Sequence, residues 1–445
     1  MKRSITITGA GLVGSLLSIY LAKKGHPVRI YERRGDMRKA EVEAGRSINL
    51  ALSDRGIKAL KEVGIADEVM KIAIPMHGRH IHNMDGSHAF QPYGKEGQFI
   101  NSVSRGELNK KLMDLAEENG VRIFFDERLA SVDWKNKILK LRSRNAEQTF
   151  NFDLLFAADG AFSAARLSHM LQHEQFEYHQ YYIDCGYKEL SIPAGANGSF
   201  LLEKNALHIW PRKDYMLIAL PNLDGSFTGT LFFPFKGETS FERLTTKEAV
   251  EQFFRDTFPD VVPLIPDLTK QFFNNPTSSL VTVKCFPWIR EDDFCLIGDA
   301  AHAIVPFFGQ GMNAGFEDCS VLNELMEQHG DDWSAILENF QSLRKPDADA
   351  IADMAVNNFT EMRSKTADPK FLLQKKIEAR LHERHPGKWI PAYSQVTFSP
   401  HIRYSEALSN SNKQEAIMQE VMQMDGIEQK WDSEEVEKMI MNKLN

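Results

Sequence analysis

The chain has 445 residues, 42% hydrophobic and 26% charged, which suits two or three domains of roughly 100–200 residues and excludes a disordered polymer. A net charge of -8 and an isoelectric point near 6.0 exclude a general nucleic-acid binder, whose surface would be basic. The four cysteines, Cys185, Cys285, Cys295 and Cys319, form no Cys-x-x-Cys, so neither a zinc site nor a disulfide framework is expected and the setting is reducing.

Lys2 and Arg3 ahead of an apolar run to Ala22 imitate a secretory signal, but Gly9, Gly11 and Gly14 interrupt the run. Ile5 to Thr8 reads as a strand, Leu12 to Lys24 as a helix stopped by Gly25, and Val28 to Tyr31 as the next strand. The link Gly9-Ala-Gly-Leu-Val-Gly14 has the G-x-G-x-x-G pattern, and Glu32 closes the second strand. Glycines there let the backbone approach a pyrophosphate at the helix N-terminus, and an acid at the strand end accepts ribose hydroxyls. An acid rather than an arginine favours FAD or NAD over NADP as the ligand.

A run from Gly45 to Gly56 leads into a predicted helix, Ile57 to Val63. Met76 to Tyr93 alternates and turns at Asp85-Gly86, a β-hairpin that carries Arg79 and Tyr93. Either residue can face a pocket, although an arbitrary arginine is a solvated one. Ser104 to Glu107 opens a helix that ends at Gly120, and Val121 to Phe125 follows as a strand. Leu154 to Ala158 is a buried strand ending in Asp159-Gly-Ala-Phe-Ser-Ala-Ala-Arg166, where Asp159 serves a nucleotide or caps the next helix.

From Tyr181 to Cys285 the chain alternates, with strands at Leu207–Trp210, Tyr215–Leu220 and Phe227–Phe235 and a helix near Lys247–Phe258. Phe294 to Ile297 is an apolar strand broken by Gly298-Asp299. A loop with Pro306, Gly309 and Gly311 follows, and a helix begins near Met312. Asp299 can accept ribitol or ribose hydroxyls, and the N–H groups near Gly311, Met312 and Asn313 can face an anion such as the N1–C2=O edge of a reduced flavin. An ordinary strand-to-helix turn reads the same way. Beyond Asp318 the chain is helical, with a break near Pro386-Gly387 and a tail, Gln414 to Leu444, whose interleaved acids suit a packed helix better than a membrane element. No segment approaches the ~20 apolar residues of a membrane span.

Gly9–Gly14 with Glu32, Asp159-Gly160 to Arg166, and Gly298-Asp299 together resemble the single-component FAD-dependent aromatic hydroxylases over most of the chain. Arg46-Ser-Ile-Asn-Leu-Ala-Leu-Ser53, Val305-Pro-Phe-Phe-Gly-Gln-Gly-Met-Asn313 and Asn358-Phe-Thr-Glu-Met-Arg363 are similar to the branch of that family acting on L-kynurenine. The resemblance implies non-covalent FAD, NADPH as transient reductant, and hydroxylation of the kynurenine ring at carbon 3 by a flavin C4a-hydroperoxide, within tryptophan degradation towards pyridine nucleotides. The expected fold is α/β. A discontinuous Rossmann-like FAD-binding domain takes residues 1–75, 101–180 and 286–345. A substrate domain combines a hairpin, 76–100, with a mostly antiparallel sheet, 181–285, and a C-terminal helical region takes 346–445.

The resemblance further implies a flavin site of Gly9, Gly11, Leu12, Val13, Gly14, Glu32, Arg33, Arg34, Ala51, Arg105, Leu129, Asp159, Gly160, Gly298, Asp299, Gly311, Met312 and Asn313. Arg79 with Tyr93 would hold the amino-acid carboxylate. Asn358, Glu361 and Tyr393 would join them, and Leu207, Met216, Ile218, Phe232, Pro306 and Phe307 would line an aromatic pocket. The chemistry asks for no metal and no protein nucleophile, and His302 reads as a structural histidine. Eukaryotic members carry a C-terminal membrane anchor that this sequence does not show, so a cytoplasmic monomer or homodimer is expected. Two other readings stay open: a hydroxylase of another aromatic acid, and a non-catalytic flavoprotein sensor.

Overall fold

The structure, a computed structural model, describes residues 2–39, 49–95, 97–143, 146–364 and 369–444. Arg46, Ser47 and Ile48 of the expected motif lie outside the described residues. Three strands, Ile5–Thr8, Leu154–Ala157 and Phe294–Leu296, are buried at every position. Strands buried on both faces read as continuous apolar runs and belong inside a parallel sheet. They form the middle of a six-stranded sheet whose spatial order is 289–290, 294–296, 154–157, 5–8, 28–31, 122–124. All its neighbours are parallel except the edge pair 289–290 with 294–296. The register pairs Thr8 with Tyr31 and Ala157, so Gly9, Glu32 and Asp159 emerge at one carboxyl edge.

A seven-stranded sheet faces that edge, in the order 277–286, 177–192, 227–234, 215–221, 206–212, 78–82, 88–92. It is antiparallel except where Gly78–His82 runs parallel to Ala206–Arg212, pairing Arg79 with Leu207. The hairpin therefore extends the sheet rather than standing apart. Helices Lys247–Thr257 and Leu268–Asn274 cover its rear, burying Trp210, Leu217, Phe233, Phe254 and Phe258 with them. Its front remains free to wall a cavity.

A further three-stranded sheet, Arg128–Asp133, Ile138–Arg142 and Glu147–Asn151, has no counterpart in the sequence reading. Only Leu129, Val132, Leu139 and Leu141 are buried on it, too few inward positions among charged ones to declare a strand pattern. Helices Pro369–Arg384, Tyr404–Val421 and Glu434–Leu444 pack through Ile377, Leu381, Ile417, Met418, Val436 and Ile440. Among the described residues no helix is long and apolar enough to cross a membrane.

Helix Gly311–His329 is clamped by buried charge. Arg344, 1% exposed, donates to Asp318 Oδ1 and Glu317 Oε2 at 2.8 Å each and to Asp347 at 3.2 Å. Burial alone would push the Asp318 carboxyl up, but His302 and Arg344 outweigh it and hold it below the usual carboxylate range. Its contribution to stability is therefore complete above the unfolded value of about 4 and is lost as pH falls through the lower folded one. Arg344→Met strands these carboxylates, and a loss of about 3–5 kcal/mol is expected, read as a lower urea midpoint at unchanged slope.

Candidate active site

One cavity of about 420 Å³ runs from the carboxyl edge of the parallel sheet to the front of the seven-stranded sheet. Its nucleotide end is lined by Gly9, Gly11, Leu12, Val13, Glu32, Arg33, Arg34, Ala51, Arg105, Leu129, Asp159, Gly160, Asp299, Gly311 and Met312. Gly14, Gly298 and Asn313 stand behind the wall.

The glycines of the first loop do different work. Gly9 adopts φ +95°, and a Cβ there would sit 2.4 Å from the Ala158 carbonyl oxygen; one on Gly14 would sit 2.0 Å from the Gly9 oxygen. Both let helix Leu12–Lys23 press onto the sheet. Gly11, the N-cap of that helix, has no described atom near its missing side chain and no side-chain cap, so the first N–H groups point into open cavity. Gly298 (φ +60°) packs so close to Val13 that a Cβ on it would sit 3.0 Å from the valine side chain, which brings the second turn against the first.

Glu32 is 3% exposed. It accepts from the Ala10 N–H at 2.8 Å and from both the backbone and the guanidinium of Arg34 at 2.9 and 2.8 Å. Burial raises its pKa, yet these donors pull it down further, so it is an ionised acceptor. Asp159 accepts from Ser163 and from the N–H groups of Ala164 and Ala165. Of the two roles open to it, helix capping is the one the hydrogen bonds show, and it borders the cavity as well. Arg166, at the end of that motif, donates to the carbonyls of Ala161 and Ala300 and so fastens this turn to the Gly298-Asp299 turn.

Asp299 is exposed, and what it is exposed to is the cavity. The surrounding protein pushes its carboxyl up, against Arg105 and His302. Asn313 is fully buried: Ser53 N–H donates to its Oδ1, and its Nδ2 donates to the carbonyls of Ala51 and Gly309. It braces the loop rather than lining it. His302 is held at 2.6 Å by Asp318, the structural role expected of it. A bare helix N-terminus behind the open space at Gly11 and an ionised acid at a strand end are the donor set of a dinucleotide site, and they fit FAD.

The other end is apolar. Successive strands present Tyr187, Phe232, Met216, Ile218 and Leu207 on one face, with Met216 opposite Phe232 and Ile218 opposite Thr230. Pro306, Phe307 and Phe308 close it from the loop, and Phe307 packs on Phe232 and Phe359. Arg79 is the charged group here. Its guanidinium stands 5.2 Å from the Tyr93 ring and 4.7 Å from the Tyr393 ring, and the two tyrosines stack at 5.4 Å. Burial pushes both phenols up, and among the described residues buried Tyr93 Oη forms no hydrogen bond of good geometry.

Asn358 and Glu361 lie off the cavity wall, unlike the expectation. Asn358 Nδ2 donates to the Phe307 carbonyl at 2.7 Å, and Glu361 faces Lys375 at 3.8 Å. Both sit on helix Trp333–Ser364, one layer behind the loop, so they support the pocket. Missed by the sequence reading were Met76, Ile100, Tyr187, Leu220, Thr230 and Phe308. Period-two alternation from Phe232 and Ile218 would have found Thr230 and Leu220; no local pattern marks the others.

Residues 2–355 match the FAD binding domain family. A kynurenine 3-monooxygenase of Flavobacterium johnsoniae is 54% identical over 99% of this chain and 98% of its own length. That of Dictyostelium discoideum is 44% identical over 93% and 92%. Among solved structures, a 2-methyl-3-hydroxypyridine-5-carboxylic acid oxygenase superposes with a TM-score of 0.69 at 19% identity, covering 83% of this chain and 94% of its own, which establishes the shared fold. On these grounds the chain belongs to the kynurenine 3-monooxygenase family of FAD-dependent monooxygenases.

Proposed function

We propose that the chain hydroxylates L-kynurenine at ring carbon 3, using FAD, O2 and NADPH. The observation that carries this reading is Arg79: a half-buried arginine whose guanidinium lies beside two stacked tyrosine rings in an otherwise apolar chamber, paired with no carboxylate among the described residues. A substrate with an aromatic ring and an amino-acid carboxylate supplies both complements, and the relatives sharing about half their residues with this chain carry that activity in their names.

Bound FAD supplies the two-electron chemistry that takes reducing equivalents from NADPH and activates O2, one oxygen entering the ring and the other leaving as water. The chain's own residues position and exclude. Arg79 fixes the carboxylate, with the neutral Tyr93 hydroxyl free to donate beside it. Leu207, Met216, Ile218, Phe232, Pro306 and Phe307 hold the ring in one plane and keep water from it. The ring carbon ortho to the aniline nitrogen is already electron-rich, so the walls need no nucleophile. Gly9, Gly11 and the helix N-terminus would hold the pyrophosphate, Glu32 the adenosine ribose, and Asp299 the ribitol, with the N–H groups of Gly311 and Met312 near the flavin ring's carbonyl edge.

Two outcomes are expected. NADPH oxidation by FAD-loaded protein rises on adding L-kynurenine, and chromatography recovers 3-hydroxykynurenine in matching amount; stimulation by salicylate or hydroxybenzoate instead would redirect the substrate. Arg79→Ala keeps its flavin but loses about 2–5 kcal/mol of kynurenine binding, measured by flavin spectral titration. Affinity close to that of the parent would refute the carboxylate role.

A further inference from the structure

The strand that carries Arg79 on its front carries histidines on its back. Alternation along Gly78–His82 turns His80 and His82 away from the cavity, and the neighbouring strands add His88, opposite His82, and His208, opposite His80. The ring centroids of His82 lie 4.9, 4.7 and 5.2 Å from those of His80, His88 and His208. His80, His82 and His88 lie on one hairpin, and His208 joins them from a strand distant in sequence. Coordinating atoms of His80, His82 and His88 all lie within 4.8 Å of one another.

Partners outside the cluster orient the rings. His82 Nδ1 lies 3.2 Å from Asp260 Oδ2, which also accepts from the Trp210 indole at 2.7 Å. Trp210 stacks on His82 at 4.0 Å. A nitrogen facing a carboxylate carries a proton, so Nε2 is the His82 nitrogen left to meet a ligand. His208 Nε2 faces the Glu203 carbonyl at 2.9 Å and must donate, so its Nδ1 is bare. These two nitrogens, His82 Nε2 and His208 Nδ1, face each other at 3.0 Å.

We propose that His80, His82 and His88 form a binding site for a divalent transition ion of the zinc class, separate from the flavin cavity and on the reverse of its substrate wall. His80 Nε2 and His88 Nδ1 are 3.2 Å apart, close to the roughly 3.3–3.4 Å edge of a tetrahedron with zinc–nitrogen bonds of 2.0–2.1 Å. Asp260 completes a carboxylate–histidine–metal arrangement through His82, the usual outer support of such ligands. His88 is exposed, which leaves an entry path and room for water in the fourth position. Imidazole-only ligation also admits copper and nickel, and zinc is the appropriate probe because it carries no redox chemistry of its own.

The test is calorimetric titration of zinc chloride into chelator-stripped, FAD-loaded protein at pH 7.5. Saturable binding of one ion per chain is expected. His80→Gln and His88→Gln should each weaken it at least tenfold, while exposed His401→Gln, away from the cluster, leaves it unchanged. Asp260→Asn, acting through His82, should weaken it roughly ten- to a hundredfold. His88 is exposed, so its variant keeps flavin content and melting temperature and reports on binding alone. Absence of saturable binding at micromolar zinc, or binding unaltered in both His80→Gln and His88→Gln, overturns the site.

Discussion

One carboxylate, Asp318, joins the parts of this molecule. Its Oδ2 accepts from the Gly298 N–H at 3.0 Å and from His302 at 2.6 Å, and its Oδ1 from Arg344 at 2.8 Å. The turn that presents Asp299, the helix that follows the loop, and the long C-terminal helix thus share a single buried acceptor. Glu317 beside it binds both Arg344 and Arg55, and Arg55 donates onward to the carbonyls of Val396, Gln395 and Ile402. Removing so many charges from water is costly, and an apolar replacement of the whole set could be as stable. What the set secures is registry. Ion pairs of this geometry tolerate little sliding, so the two nucleotide turns and the segment that brings Tyr393 to the pocket keep their relative positions.

The cavity has two chemistries because it lies between two kinds of sheet. A parallel sheet ends in loops and helix N-termini, so its carboxyl edge is rich in unpaired N–H groups and suits phosphate, ribose and flavin carbonyls. The front of an antiparallel sheet offers side chains at period two with every backbone group paired, which makes a dry wall. Arg79 is the exception on that wall, and the stacked rings of Tyr93 and Tyr393 beside it offset part of its loss of water. Gly78 before it has no room for a side chain, since a Cβ would meet the Gln91 carbonyl oxygen at 2.4 Å. The hairpin is thereby pressed flat against its partner, and both Arg79 in front and the histidines behind take their positions from that contact.

Much of the nucleotide end was legible in sequence because its chemistry is local. A glycine must stand where a backbone approaches another backbone, as Gly9 and Gly14 do, and each turn leads to an acid, Glu32 at the end of the next strand and Asp299 directly after Gly298. Asp159 shows the limit of that reading. The same residues write a helix cap and a nucleotide contact, and only hydrogen bonds from Ser163, Ala164 and Ala165 distinguish the first. Asn358 and Glu361 stand in a motif similar to the family's, yet helix packing sets them behind Phe307 and opposite Lys375.

By itself the sequence determined the class of fold, the dinucleotide unit, and the family, since apolar runs, glycine spacing and strand-end acids are properties of short segments. The tertiary structure decided everything that depends on strands far apart in the chain. It set the parallel insertion of Gly78–His82 beside Ala206–Arg212, the assembly of one apolar wall from four strands, the pairing of Tyr93 with Tyr393, and the meeting of four histidines on the reverse face. Period-two alternation says that a strand has two faces. Which face meets the cavity is settled only when helices Lys247–Thr257 and Leu268–Asn274 bury the other.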